Sequence, residues 1–171
     1  NIADGDYNTL IGAGSAAHMR SGDGNTFVGA NTGHGGVEDF AYNTAVGYQA
    51  MYSGAKTDAT VNNVAIGRDA LLANTTAANN TAVGTYALDA NTTGTNNVAV
   101  GYSACGASTT THSNTGIGYQ ALLVSTGSNN TACGSWALSS NTTATHNTAV
   151  GTSALEVNST GAYNTAVGAL A

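Results

Sequence analysis

Asn80-Thr81-Ala82-Val83-Gly84-Thr85-Tyr86-Ala87-Leu88 is a stretch that the chain writes ten times. The copies begin at Asn8, Asn25, Asn43, Asn63, Asn80, Asn97, Asn114, Asn130, Asn147 and Asn164, at spacings of 17, 18, 20, 17, 17, 17, 16, 17 and 17 residues. Every copy has the Asn, and every copy has a Gly four residues on, from Gly12 to Gly168. A fixed period of this length marks a solenoid. The 171 residues therefore count coils, and they form a single repeat domain over 1–171. Within it, residues 1–62 form less regular coils with longer loops, and residues 63–171 repeat almost without interruption.

Seventeen residues is too short for a helix–turn–helix repeat, which needs about 34. The motif reads as a β-strand, because its second position is Thr or Val in every copy and both are β-branched. In Asn97-Val98-Ala99-Val100-Gly101, period-2 alternation puts Val98 and Val100 on one face and Asn97 and Ala99 on the other. The Gly that follows is expected to adopt positive φ or to admit a close backbone approach. A second short strand is expected around Ala87-Leu88 and its equivalents, followed by a polar turn such as Asn91-Thr92-Thr93-Gly94. Stacked coils then bring each position into a column. The Asn column should form an amide ladder between coils, and the Val/Ile and Leu columns should form a thin core. Replacing Val100 with Asp should on this reading unravel neighbouring coils. Position three is Ala in seven of ten copies, with Leu10, Phe27 and Gly116 as exceptions, so its face would permit close approach of another surface.

Composition narrows the function. Charged residues make up 7% of the chain, and only Arg20, Lys56 and Arg68 are positive against a net charge of −6. Nucleic acid is therefore not an expected partner, since phosphate recognition needs clustered Lys and Arg. No apolar run approaches the roughly 18–20 residues of a membrane helix. The chain has no Pro, as suits a backbone whose N–H groups pair on both sides. It begins at Asn1-Ile2-Ala3 and is read as a segment of a longer protein. Residues 1–7 read as the end of a preceding coil. Asp4-Gly5-Asp6-Tyr7-Asn8 opens like a calcium loop, but the sixth position is Thr9 and the twelfth Ser15, so the signature fails.

Cys133 and Cys105 replace expected core residues two coils apart, roughly 9–10 Å along the stack, beyond the about 7 Å of a disulfide. His18, His34, His112 and His146 lack metal-site spacing, and only a ring of one of them about a trimer axis would gather enough ligands for an ion. Asp69, Asp89 and Glu156 are scattered over different repeats, so no catalytic set, cofactor or metal site is expected. The connections 13–24, 30–42 and 52–62 hold His18, Arg20, Asp23, His34, Glu38, Asp39, Phe40, Lys56 and Asp58 and read as surface loops. Motif positions six and seven should face solvent. They hold Tyr48, Tyr86, Tyr102, Tyr119 and Trp136, and Tyr102 should stack on Tyr119. The sequons at Asn74, Asn91, Asn141 and Asn158 are by-products of the repeat.

Asn63-Val64-Ala65-Ile66-Gly67 and Asn97-Val98-Ala99-Val100-Gly101 resemble the strand motif of YadA-type trimeric autotransporter adhesin heads. The longer form Asn43-Thr44-Ala45-Val46-Gly47-Tyr48-Gln49-Ala50, repeated at Asn114 through Ala121 as Asn-Thr-Gly-Ile-Gly-Tyr-Gln-Ala, resembles repeats of phage tail-fibre proteins. The resemblance spans essentially the whole chain. It implies an all-β, left-handed parallel β-roll, three of which join in a homotrimeric fibre. It further implies a phage tail-fibre shaft or receptor-binding region that attaches to a host cell-surface glycan or protein, located on a virion. A bacterial trimeric surface adhesin head, also extracellular, is the alternative. A further alternative is a monomeric ice-binding β-solenoid. The Thr-rich second position favours it, while Val64 and Val98 in that column suggest that it points inward.

Overall fold

The computed structural model describes residues 5–35, 41–53 and 60–171. It is an all-β solenoid with one parallel sheet of ten strands, stacked in chain order. The strands are β1 Thr9–Ile11, β2 Thr26–Val28, β3 Thr44–Val46, β4 Val64–Ile66, β5 Thr81–Val83, β6 Val98–Val100, β7 Thr115–Ile117, β8 Thr131–Cys133, β9 Thr148–Val150 and β10 Thr165–Val167. Each is motif positions two to four, paired with the same positions of the next coil. The register survives the 18- and 20-residue coils, Thr26 pairing with Thr44 and Thr44 with Val64. In the 16-residue coil one turn residue is dropped. The Asn114 side chain therefore donates to the Gly127 carbonyl at 2.9 Å, as Asn80 does to Gly94 at 2.9 Å.

The Asn ladder forms as expected, and its main link is from backbone to side chain. The backbone N–H of each motif Asn donates to the Oδ1 of the preceding Asn, at 2.9 Å for Asn25 on Asn8 and 2.8 Å for Asn164 on Asn147. The intermediate links run without a gap through Asn43, Asn63, Asn80, Asn97, Asn114, Asn130 and Asn147. The motif Gly meets both expectations at once. Gly84 has φ 132°, and a Cβ there would lie 2.5 Å from the Gly101 carbonyl oxygen. Coils stack at this point backbone on backbone.

Two expectations are overturned. The first is the second strand. Among the described residues each coil carries a single three-residue strand, and successive tight turns fill positions six to nine, extending to position eleven in most coils. Non-glycine residues recur there in the left-handed region: Tyr86 has φ 60° and Leu88 φ 50°, repeated in Leu71, Leu122 and Leu138. That conformation costs an L-residue roughly 1–2 kcal/mol. Full burial of the Leu side chain, worth about 1.5–3 kcal/mol, offsets it, as does the bond from Leu88 N–H to the Ala104 carbonyl at 3.0 Å.

The second is the direction of the faces. Position three is buried from Phe27 to Ala149, with Ala82 and Ala99 fully so, and the Asn column from Asn25 to Asn147 lies beside it inside the coil. The Val/Ile column and the Thr/Val column point outward and are half-buried to exposed. The reason is space. The interior is narrow, and the wall facing the strand already supplies Ala87-Leu88 and equivalents, so only a methyl fits between. The exceptions obey the same rule. Phe27 fills position three where the facing residue shrinks to Gly33, and a Cβ on Gly33 would meet the Phe27 ring at 2.5 Å. Where position three shrinks to Gly116, the Cys105 sulfur occupies the space, 2.7 Å from where a Cβ would sit. Val100 is therefore not a core residue, and the unravelling expected of Val100→Asp has no basis in this packing.

Candidate interaction face

The outward side of the sheet runs the length of the stack and is not absorbed by the core. Its two columns are Thr/Val at position two and Val/Ile at position four. Ile66, Ile117 and Val150 are 40%, 41% and 38% exposed, large for β-branched apolar groups aligned coil upon coil. Neither column carries a charged residue in any of the ten strands. Both cysteines are free, but only Cys105 is in the core. Burial pushes its thiol up to about 12. Cys133 was expected inside. It sits in the outward column between Ile117 and Val150 and is exposed, because position four as a whole faces outward.

Beside this face, one Gly further along each coil, runs a ladder of rings. Tyr86 meets Tyr102 edge-on at 5.8 Å, Tyr102 stacks on Tyr119 at 5.4 Å with planes 11° apart, and Tyr119 meets Trp136 edge-on at 5.5 Å. The expected Tyr102–Tyr119 stack is present and belongs to this longer series. Trp136 Nε1–H donates to Gln120 Oε1 at 2.8 Å, and the Arg68 guanidinium lies 5.2 Å from the Tyr86 ring centre. Tyr48, Tyr102, Tyr119 and Trp136 are exposed, as positions six and seven were expected to be.

Asp69, in the same series of positions, departs from that expectation and is buried. Its Oδ2 accepts from Arg68 Nε at 2.9 Å, while its Oδ1 has no partner. Asp89, one coil on, has its carboxyl held above the ordinary 3.8 by burial and, more weakly, by the charge of Asp69, against backbone N–H groups that lower it. Asp69 and Asp89 thus lie within electrostatic reach of each other, closer than their scatter in sequence suggested. Among the described residues no three His, Cys, Asp or Glu side chains gather as a metal site would need.

The histidines take part in ring and turn contacts. His18 meets His34 edge-on at 5.2 Å, His34 stacks on Tyr52 at 4.6 Å, His146 stacks on Tyr163 at 4.9 Å, and His112 Nδ1 accepts the Thr95 N–H at 3.0 Å. The sequon residues Asn74, Asn91 and Asn141 are buried and bonded within their own turns. Asp6 accepts from Gly24 N–H at 2.9 Å, so residues 5–7 do take the place of a coil's closing turn. Glu38, Asp39, Phe40, Lys56 and Asp58 lie outside the described residues. No helix among the described residues is long and apolar enough to cross a membrane.

No family model, curated protein or solved structure matches the chain.

Proposed function

We propose that the chain is a non-enzymatic structural segment of an extracellular fibre, a phage tail-fibre shaft or receptor-binding region that serves host attachment. A trimeric surface adhesin head on a bacterium is the alternative reading of the same geometry. The observation that carries the proposal is the combination of an unbroken Asn ladder through ten coils with an uncharged face along the stack that is β-branched at every position but Cys133. The ladder makes a rod of roughly 45 Å at the usual strand spacing. The face gives that rod a side on which other copies pack, three about a common axis in the trimeric arrangement. Stability of such a rod is a sum of neighbour-to-neighbour terms, and association would cover apolar area that one thin coil leaves open. Sedimentation of the segment tests this. A mass three times 16.8 kDa supports it, and a stable monomer removes it.

One observation favours a second reading. The Thr column of position two points outward on the parallel sheet, against the expectation that it points inward. A regular Thr and Val array on a monomer would suit ice binding. Thermal hysteresis by a monomeric chain would establish that reading, and ordinary ice growth would remove it.

A further inference from the structure

A second buried polar column runs through the stack at position twelve, where each coil enters its polar turn. It reads Asn74, Asn91, Ser108, Ser125, Asn141 and Asn158, and the first five are fully buried. The Asn members clamp the residue three positions on. Asn74 Oδ1 accepts the Ala77 N–H at 3.0 Å, and Asn91 Oδ1 accepts the Gly94 N–H at 3.1 Å. The Asn141 and Asn158 amides donate to the Ala144 and Gly161 carbonyls at 2.8 and 2.7 Å.

The sixth and seventh coils lack the carboxamide. Ser125 still reaches its own turn, because that coil is a residue shorter, and donates to the Gly127 carbonyl at 3.2 Å. Ser108 does not. Its hydroxyl donates out of its coil, to the Ser125 carbonyl at 3.2 Å. The residue it leaves unclamped is Thr111, which is only 2% exposed and whose Oγ1 has no hydrogen-bond partner in the protein. The turn itself is in place, since the Thr111 carbonyl accepts from Asn97 Nδ2 at 2.8 Å, as Gly94 does from Asn80 at 2.9 Å. The orphan is therefore the side chain, and it points at the gap. A Cβ added to Gly94 would lie 2.4 Å from Asn91 Oδ1, and one added to Gly161 would lie 2.6 Å from Asn158 Oδ1. A side chain at position fifteen is thus directed at the position-twelve group.

We infer that Thr111 and Ser108 hold a buried water molecule, which stands in for the missing carboxamide between the sixth and seventh coils. Buried hydroxyls in native proteins find a partner, and ordered water is the usual one where the protein supplies none. A buried water makes about three hydrogen bonds, accepting some and donating others, as the amide does in the neighbouring coils. Space comes from the two Ser side chains and from the turn residue dropped in the seventh coil, with Thr111 returning part of it. An apolar guest would leave the Thr111 hydroxyl as it is, unpaired in a dry interior.

The test turns on a sign. Thr111→Val exchanges the hydroxyl for a methyl of nearly the same size. Where a hydroxyl is merely orphaned, that change removes a buried unpaired group and raises the melting midpoint. Where it anchors a water, the water loses a partner, and the midpoint should fall by about 2–4 °C in a chain of this length. A crystal structure of the whole chain should show an ordered solvent peak within hydrogen-bond reach of Thr111 Oγ1. Ser108→Asn combined with Thr111→Gly rebuilds the Asn91 and Gly94 pair of the fifth coil, and should be dry at this point while melting no lower than Thr111→Val. A midpoint that rises or stays level in Thr111→Val would overturn the inference. So would a wild-type interior without solvent there, or a double variant that keeps the peak.

Discussion

The two sides of β6 hold similar atoms in opposite circumstances. Ala99, with a single methyl, is fully buried, while Val98 and Val100, the larger and more apolar residues, look outward. A wide core rewards bulk, and hydrophobic residues collect there in order of size. A coil one side chain thick rewards fit first. Its interior accepts a methyl from the strand because Ala104 and the residue after it already cross from the other wall. The large apolar groups are then displaced to the outside, where they are a liability in a lone chain and a resource in an assembly.

The sharpest way to break this contrast is to place the same charge on each side. Ala99→Asp leaves an unpaired carboxylate in the dry interior and should cost about 3–5 kcal/mol, seen as loss of cooperative melting. Val100→Asp in a monomeric preparation should stay within about 0.5 kcal/mol, as surface changes do. If the two melted alike, the inside and outside of the coil would be wrongly assigned.

Gly84→Ala comes next. It forces a Cβ to within 2.5 Å of the Gly101 oxygen at φ 132°, and should lower stability by about 2–3 kcal/mol in a denaturant titration. Asn97→Ala removes the acceptor for the Asn114 N–H and leaves that donor buried, at a cost of about 1–3 kcal/mol. Hydrogen exchange should show opening at the coils on either side of the gap first. An even loss of protection along the whole rod would mean that coils do not open separately.

The smallest effect concerns Asp89, whose folded acid form is favoured by burial. A raised folded value means extra stability below the ordinary 3.8 that is lost as pH rises through the folded value. Asp89→Asn should flatten that slope and melt slightly above the wild type at pH 7. A variant melting lower at pH 7 would mean that the charged form is the one the fold prefers.

Much of this architecture is legible in the residues, and the limits are specific. Period, the Asn ladder, the Gly contacts and the Tyr102–Tyr119 stack follow from columns, and columns follow from spacing alone. The direction of the faces does not follow. Alternation separates Asn97 and Ala99 from Val98 and Val100 but is symmetric as to which pair lies inside, and hydropathy votes for the wrong pair. The deciding signal lies in the exceptions: Phe27 takes the Ala position where Gly33 stands six residues on, a trade of volume that only an inward position requires. The left-handed Leu88 left no comparable trace, since nothing in a Leu announces positive φ. The outward face was hidden for the same reason as the core, being its complement.

The bonds between coils run along the rod and link one coil to the next, from the Asn amides to the strand pairs. A pull on the two ends therefore loads these junctions in series, and the weakest gives way before the others share its burden. Each coil that peels off frees 17 residues, about 55 Å of extended chain against the roughly 5 Å it spanned in the stack. Under tension such a rod would lengthen by an order of magnitude in discrete steps, taking up a sudden load and regaining its length as the coils re-stack.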